Sequence, residues 1–290
     1  MNRGERPVIA LDVGGSSVKS ALVAADQQIV GDVCVDGIQS GATADEILNM
    51  LAAIIAGHLE KVREVRGIAF AFPGPFDYEQ GICLIQNQAK YESLYGVHVG
   101  ARLKEIIHMP ALEIKYRNDA EAAILGEACY GAGIPYSRLI GLTLGTGLGS
   151  AFITEGVVIT EGADVPLNGW LYSFPFGNQR ADDVFSTRGL LARLRERGIH
   201  AVDIASALQK GNEDSKALEE SFASFGADLG LFLSPFVADF RADCVLVTGG
   251  ISEAWNRFAP TLIQSLSVPV LRGKLGNQAA LLGAAALISK

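Results

Sequence analysis

Residues 11–19 read Leu11-Asp12-Val13-Gly14-Gly15-Ser16-Ser17-Val18-Lys19 and follow a short apolar run. A similar stretch follows a second apolar run near the middle of the chain and reads Leu144-Gly145-Thr146-Gly147-Leu148-Gly149-Ser150. Glycines in such turns let successive backbone N–H groups approach phosphate oxygens, and Ser and Thr hydroxyls add donors. An acidic residue such as Asp12 can hold a magnesium ion or its waters. Neither stretch has the P-loop or the dinucleotide-binding pattern, so we predict two phosphate-binding turns of another type.

A third glycine turn follows the β-branched run 245–247 and reads Thr248-Gly249-Gly250-Ile251-Ser252. Any one of these turns is weak evidence, because a glycine after a strand often serves only to avoid a Cβ clash. Three such turns in this order are strong evidence for a nucleotide site.

In these three turns the chain resembles the ROK group of sugar kinases (repressor, open reading frame, kinase), within the actin, Hsp70 and hexokinase ATPase superfamily. Two more segments carry the resemblance: residues 72–77, Phe-Pro-Gly-Pro-Phe-Asp, and residues 117–123, Arg-Asn-Asp-Ala-Glu-Ala-Ala. It covers nearly the whole chain. It implies an α/β fold of two ribonuclease-H-like (actin-like ATPase) lobes around a central cleft, ATP and Mg²⁺ as cofactors, a sugar as substrate, and a homodimer.

The resemblance also implies a role for each matching residue. It places the catalytic base at Asp119 and a magnesium contact, direct or through water, at Asp12. The implied nucleotide-binding residues are Asp12, Gly14, Gly15, Ser16, Ser17, Lys19, Gly145, Thr146, Gly147, Gly149, Gly249 and Gly250. The implied sugar-binding residues are Gly74, Pro75, Asn87, Asn118, Asp119 and Asp182.

Simpler explanations exist for three of these residues. Transfer of a phosphoryl group to a hydroxyl needs an acceptor for the hydroxyl proton, and Asp119 ends a strand-like run where its carboxylate can face a cleft. Asp is also a favoured helix N-cap, so capping is the alternative role of Asp119. Asn87 has an ordinary surface loop as its alternative, and Lys19 is at least as well explained by a solvated lysine on a hairpin edge.

The chain departs from the family between residues 156 and 188. Typical members carry a Gly-Glu-x-Gly-His segment and a zinc-binding cysteine cluster there, but residues 161–183 contain neither Cys nor His. We therefore expect no zinc site. The aromatic residues Trp170, Tyr172, Phe174 and Phe176 are interpreted as an apolar plug that replaces zinc, or as a wall that stacks on a sugar face. The usual hexose specificity cannot be carried over.

Composition limits the function classes further. The chain has 290 residues, 49% of them hydrophobic, and a net charge of −8, which disfavours a nucleic-acid partner. The four cysteines are far apart and suit buried positions in a reducing cytosol. No targeting signal or membrane span is recognised, and the few residues before Asp12 leave no room for the DNA-binding region of family repressors. A cytoplasmic protein without membrane contacts is expected.

Hydrophobic periodicity predicts alternating strands and helices. Strands are expected at 8–13, 18–24, 29–35, 68–72, 111–116, 139–144, 150–154 and 244–247, and helices at about 47–62, after 119, from about 186, before 239 and at about 277–288. We predict one lobe over 1–118, joined by the C-terminal helix 277–290, and a second over 119–276, with 131–135 near the join.

The sequence as a whole favours ATP-dependent phosphorylation of a sugar or sugar-derivative hydroxyl with Asp119 as general base. Two alternatives remain. One is a non-catalytic sugar or nucleotide sensor, for which the altered 161–183 region leaves room. The other is a phosphotransferase of the same superfamily with a non-sugar acceptor.

Overall fold

The computed structural model describes residues 6–210 and 215–288. Contacts divide the chain into two compact units, Met1–Gly126 with Asn277–Lys290 (unit 1) and Glu127–Gly276 (unit 2). The boundary between the units therefore lies after Gly126 rather than after residue 118. The reason is close packing of two helices: a Cβ on Gly126 would overlap the carbonyl oxygen of Ala279, and one on Gly283 would overlap that of Ala122.

Unit 1 contains a five-stranded sheet in the order β3-β2-β1-β4-β7. Its strands are β1 (Val8–Val13), β2 (Ser17–Val23), β3 (Ile29–Gly37), β4 (Gly67–Phe72) and β7 (Ile114–Asn118), with a small hairpin of β5 (Phe76–Asp77) and β6 (Ile82–Cys83). Its helices are α1 (Ala44–Leu59), α2 (Val99–Ile106), α3 (Asp119–Tyr130), whose last four residues lie in unit 2, and α9 (Ala279–Ala285). Strand β1 pairs antiparallel with β2 and parallel with β4, which in turn runs parallel to β7.

The core of unit 1 lies between this sheet and its helices. Every residue of β4 is buried, as expected for a central strand covered on both faces. Helix α1 begins with a capping box, in which the Thr43 side chain accepts from the backbone N–H of Glu46 while the Glu46 carboxylate accepts from the Thr43 N–H. Its apolar stripe, which includes Leu48 and Leu51, faces the core.

Unit 2 repeats the plan with a sheet in the order β10-β9-β8-β13-β14. The strands are β8 (Arg138–Leu144), β9 (Leu148–Thr154), β10 (Val157–Ile159), β13 (Cys244–Thr248) and β14 (Val270–Arg272), with a small hairpin of β11 (Pro175–Phe176) and β12 (Gln179–Arg180). The helices are α4 (Ala181–Val184), α5 (Thr187–Glu196), α6 (Ile204–Lys210), α7 (Ser215–Phe240) and α8 (Trp255–Gln264).

The two sheets have the same topology. In each, three consecutive antiparallel strands are followed by two strands that add in parallel on the far side of the first. The glycine turns at 14–16 and 145–147 join the first two strands of their sheets, so the duplicated α/β plan predicted from the glycine segments is confirmed.

Helix α7 is the longest helix among the described residues. Its segment Lys216–Phe240 has the length and hydropathy of a membrane-crossing helix, but half of the tested window is buried inside the structure. Phe222, Phe225 and Leu229 of this helix have no exposed surface and belong to the core of unit 2. A long apolar helix at the centre of a unit meets the same criteria as a membrane span, and the packing accounts for its composition.

Candidate functional site

The predicted residues of unit 1 collect at the carboxyl ends of three neighbouring parallel strands. Asp12 lies at the end of β1, Gly74 follows β4, and Asn118 ends β7. The register pairs Asp12 with Ala71 and Phe72 with Asn118, so the three strands end side by side. This edge of a parallel sheet is where ligands bind in open α/β folds, because the loops that leave it diverge.

The first glycine turn, residues 14–16, is a tight connection between β1 and β2. The Gly14 N–H donates to the Ser17 carbonyl at 2.9 Å, and a Cβ on Gly14 would lie 3.0 Å from that oxygen. Gly15 and Ser16 are exposed. A side chain on Gly14 would therefore press on the backbone of the turn, while the exposed part of the turn is open to a ligand. This geometry suits a phosphate-binding turn.

Asp12 and Lys19 face each other across the β1–β2 hairpin. Lys19 Nζ lies 3.5 Å from Asp12 Oδ2 and 3.3 Å from Asn277 Oδ1. Burial raises the pKa of the Asp12 carboxyl, the nearby charge of Asp119 raises it further, and Lys19 opposes the shift. A partly desolvated carboxylate beside a second carboxylate gains most from an added cation, so the electrostatics fit a magnesium ion near Asp12.

Asn118 caps helix α3, a role that the sequence left open for Asp119. Asn118 Oδ1 accepts from the N–H groups of Ala120 at 3.0 Å and Glu121 at 3.2 Å, the usual bonds of an N-cap side chain. Its Nδ2 donates to the Tyr78 hydroxyl at 3.2 Å. The Asn118 amide is thus held at both ends, and the predicted sugar contact must use its remaining N–H.

Asp119 is the first residue of α3 and is half-buried. Its Oδ1 accepts from the N–H of the next residue, Ala120, at 2.9 Å. Within the described ranges 6–210 and 215–288 no cation forms an ion pair with Asp119. Capping the helix is therefore left to Asn118, and the Asp119 carboxylate stays available to accept a proton from a bound hydroxyl.

The Tyr78 hydroxyl packs against the Gly74-Pro75 turn. Its hydroxyl donates to the Phe72 carbonyl at 3.2 Å, and a Cβ on Gly74 would lie 3.0 Å from that hydroxyl oxygen. The same hydroxyl accepts from Asn118. Burial raises the pKa of Tyr78 well above its usual value, so the hydroxyl stays protonated. Tyr78 thus connects two of the predicted sugar-binding segments, and sequence reasoning missed it.

Asn87, the third predicted sugar contact of unit 1, is exposed and has a left-handed backbone with φ 56°. It belongs to the loop of residues 87–91, which Tyr91 anchors to the first glycine turn: the buried Tyr91 donates its hydroxyl hydrogen to the Gly14 carbonyl. The structure therefore brings this loop to the first glycine turn, through a contact between residues far apart in sequence. No pattern in the sequence indicates it.

In unit 2 the second and third glycine turns lie together. Residues 145–147 connect β8 to β9, and Gly249 follows β13, the parallel neighbour of β8. Gly249 has φ 92°, and a Cβ there would lie 2.5 Å from the Leu144 carbonyl oxygen. Only glycine permits this approach, so two of the predicted nucleotide segments meet at one edge of the sheet.

Asp182 lies beside the second glycine turn. Its Oδ1 accepts from the Leu148 N–H at 2.8 Å, and its Oδ2 is 3.0 Å from Arg188 Nη2. A Cβ on Gly147 would lie 3.0 Å from Asp182 Oδ1. The carboxylate therefore holds the second glycine turn in place in this structure, whereas its predicted sugar contact remains a prediction.

The aromatic residues of the 161–183 segment divide into two groups. Phe174 packs edge-on against Phe236, and Phe176 contacts Phe185, so these two extend the core of unit 2. Trp170 and Tyr172 contact each other instead, with ring centroids 5.9 Å apart, and Tyr172 is exposed. The first group fits the predicted apolar plug, while the second leaves an aromatic surface open to solvent.

The chain is similar to known proteins in sequence and in fold. The family model described as the ROK family matches residues 8–169, more than half of the chain. A glucokinase of Thermotoga maritima is 28% identical over 153 residues, which cover 53% of this chain and 46% of that protein. An N-acetyl-D-glucosamine kinase of Haemophilus influenzae is 24% identical over 307 residues, which cover 96% of this chain and 97% of that protein.

A solved structure shares the fold over almost the whole chain. It is a ROK family glucokinase from Streptomyces griseus in complex with glucose and AMPPNP, with a TM-score of 0.71, 20% identity, and coverage of 97% of this chain and 98% of that one. Its match confirms the predicted fold class. The match to the Thermotoga glucokinase, by contrast, spans less than half of that enzyme.

Proposed function

Because the chain belongs to the ROK family, we propose that it is a carbohydrate kinase that transfers a phosphoryl group from ATP to a hydroxyl of a sugar or sugar derivative, with Asp119 as the general base. The two relatives described above are named as a glucokinase and an N-acetyl-D-glucosamine kinase, which supports the general reaction. The assignment of Asp119 as the general base depends on the site in unit 1.

One observation carries the proposal: Asp119 lies close enough to Asp12 for its charge to raise the pKa of Asp12, and both are at the ends of parallel strands next to Gly74 and Asn118. A pair of carboxylates in one site can divide the work of phosphoryl transfer. One side chain accepts the proton of the attacking hydroxyl, and the other holds the positive charge that offsets the phosphates.

The side chains fit these roles. Asn118 and the Gly74 turn are held in place by Tyr78 and can orient a sugar hydroxyl toward Asp119. The glycine turns at 14–16 and 145–147 leave open space beside the backbone of Gly15 and Gly145, where a Cβ would meet no atom closer than 3.9 Å. Asp12 offers a partly buried carboxylate. A magnesium ion bound with the nucleotide would spread the charge of the phosphates.

The same site argues against one of the two alternative functions, the sensor, but not against the other. A pure sensor has no use for a carboxylate that is neither capping a helix nor paired with a cation, and Asp119 is such a group in the described part of the chain. A kinase with a non-sugar acceptor would keep the same base. The choice between acceptors therefore depends on turnover rather than on geometry.

The decisive experiment measures ADP release from ATP across a panel of hexoses, amino sugars, N-acetyl sugars and polyols. We expect one class of sugar to raise the rate far above the rate without acceptor, since a hydroxyl held in position beside the phosphate reacts much faster than free water. The Asp119→Asn variant is the matched control, and it should remove the sugar-dependent part. An acceptor-independent ATPase as fast as any reaction with sugar would overturn the proposal and favour the non-sugar alternative.

A further inference from the structure

The 87–91 loop has an unusual backbone. Asn87, Ala89 and Tyr91 all adopt left-handed conformations, with φ values of 56°, 54° and 57°. Residues with a side chain rarely adopt this region, because the Cβ then comes too close to the backbone. Such a conformation persists only where surrounding contacts enforce it, and in functional loops it fixes where a side chain points.

Three sets of contacts enforce the shape of the loop. The Glu92 carboxylate accepts from the N–H groups of Gln88 at 2.7 Å and Ala89 at 3.0 Å. The Tyr91 N–H donates to the Ser40 carbonyl at 2.6 Å. The Tyr91 side chain is fully buried and bonded to the Gly14 carbonyl. The 87–91 loop is therefore anchored to the first glycine turn.

Lys90 lies between these anchored residues, and its side chain comes close to Gly15 of the first glycine turn. A Cβ built on Gly15 would lie 3.9 Å from Lys90 Cδ, which is ordinary van der Waals contact. Lys90 itself is half-buried. The aliphatic part of the Lys90 side chain therefore lies beside the exposed Gly15, and the ammonium group is one methylene beyond the atom that makes this contact.

A second lysine at the same turn is already engaged. Lys19 Nζ lies 3.5 Å from Asp12 Oδ2 and 3.3 Å from Asn277 Oδ1, so its ammonium group already interacts with two side chains of the protein. Lys90, in contrast, forms no ion pair or side-chain hydrogen bond within residues 6–210 and 215–288. Of the two lysines, Lys90 is the one whose ammonium group is available to a bound anion.

We propose that Lys90 binds the terminal phosphate of the nucleotide, the group that is transferred, and stabilises its charge during transfer. This inference rests on the proposed kinase function. A lysine ammonium is a compact charge with three donors and is well suited to a phosphate oxygen. Because Lys90 lies three residues after Asn87, the same loop would contact both the acceptor and the transferred phosphate, and would fix the position of each relative to the other.

The test compares Lys90→Met with wild type and with Lys104→Met. Lys104 is a matched control because it is also half-buried in unit 1 and lies outside the candidate site. We expect Lys90→Met to lower kcat/KM for ATP by about 10- to 100-fold, the size of a lost hydrogen bond to a charged group. Lys104→Met should stay within about twofold of wild type, and Lys90→Arg should recover most of the activity.

A binding measurement identifies the phosphate concerned. Calorimetry with AMPPNP and with ADP should show weaker binding of AMPPNP by Lys90→Met and unchanged binding of ADP, because ADP lacks the terminal phosphate. Equal losses for both nucleotides, wild-type kinetics in Lys90→Met, or a fall in Tm well beyond that of Lys104→Met would overturn the proposal. If wild type phosphorylates no sugar, the proposed function fails, while the comparison of AMPPNP with ADP still tests Lys90.

Discussion

Replacing Asp119 by Asn should separate catalysis from folding, because the two neighbouring polar residues at the start of α3 have different tasks. Asp119 accepts one local hydrogen bond, from Ala120, which an Asn side chain can still accept. Asn118 accepts the two bonds that cap the helix. Asp119→Asn therefore leaves the cap and the packing unchanged, and its free energy of unfolding should stay within about 0.5 kcal/mol of wild type.

The catalytic cost is much larger. A general base contributes about 10²- to 10⁴-fold to the rate, so loss of the carboxylate should lower kcat by that factor. This corresponds to about 3 to 5 kcal/mol of activation free energy. A coupled assay of ADP release at saturating ATP and acceptor measures kcat, and chemical denaturation measures the free energy of unfolding.

Asn118→Ala is the reciprocal variant. It removes both capping bonds and the donor to Tyr78, so we expect a loss of about 1 to 2 kcal/mol in stability, with the base itself retained. Its KM for the acceptor should rise more than its kcat falls. Near-normal turnover by a folded Asp119→Asn protein, or a loss of stability equal to that of Asn118→Ala, would refute the division of roles.

Three further outcomes are expected. Burial and the charge of Asp119 raise the pKa of Asp12 above its ordinary value of about 3.8. The folded state therefore binds a proton at Asp12 more tightly than the unfolded state does. The contribution of Asp12 to stability is consequently lost as the pH rises from about 3.8 through the raised pKa. In denaturant titrations, Asp12→Asn should therefore be at least as stable as wild type at neutral pH and should lose that advantage near pH 4. A variant less stable than wild type at neutral pH would contradict the expected direction of the pH effect. Elemental analysis should find no zinc in protein purified without added metal, and activity should require Mg²⁺; one zinc per chain would show that the 161–183 segment was misinterpreted. Gly283→Leu should lower Tm by several degrees, since even a Cβ at this position overlaps the Ala122 carbonyl oxygen, and an unchanged Tm would show that α3 and α9 can separate at little cost.

Most regular elements that carry the site were predictable from the chain alone. The strands before the three glycine turns are continuous apolar runs, and such runs bounded by glycine are typical of buried strands. Helix α2 was missed because it is short and its N-cap is His98, whose Nδ1 accepts from the Ala101 N–H in place of a usual capping group. Helix α8 was missed as well, and it contains Pro260, which normally argues against a helix.

The sequence by itself determined the local features: where strands end, where glycine is required, and which residues of each motif follow them. These depend on neighbours along the chain, as in the hairpin that sets Lys19 opposite Asp12. Only the tertiary structure decided that Asn118 rather than Asp119 caps α3 while bonded to Tyr78, and that the Lys90 side chain lies beside Gly15. Those contacts join segments that are distant in sequence, and a contact of that kind is fixed by how sheets and loops pack, which no local pattern of residues encodes.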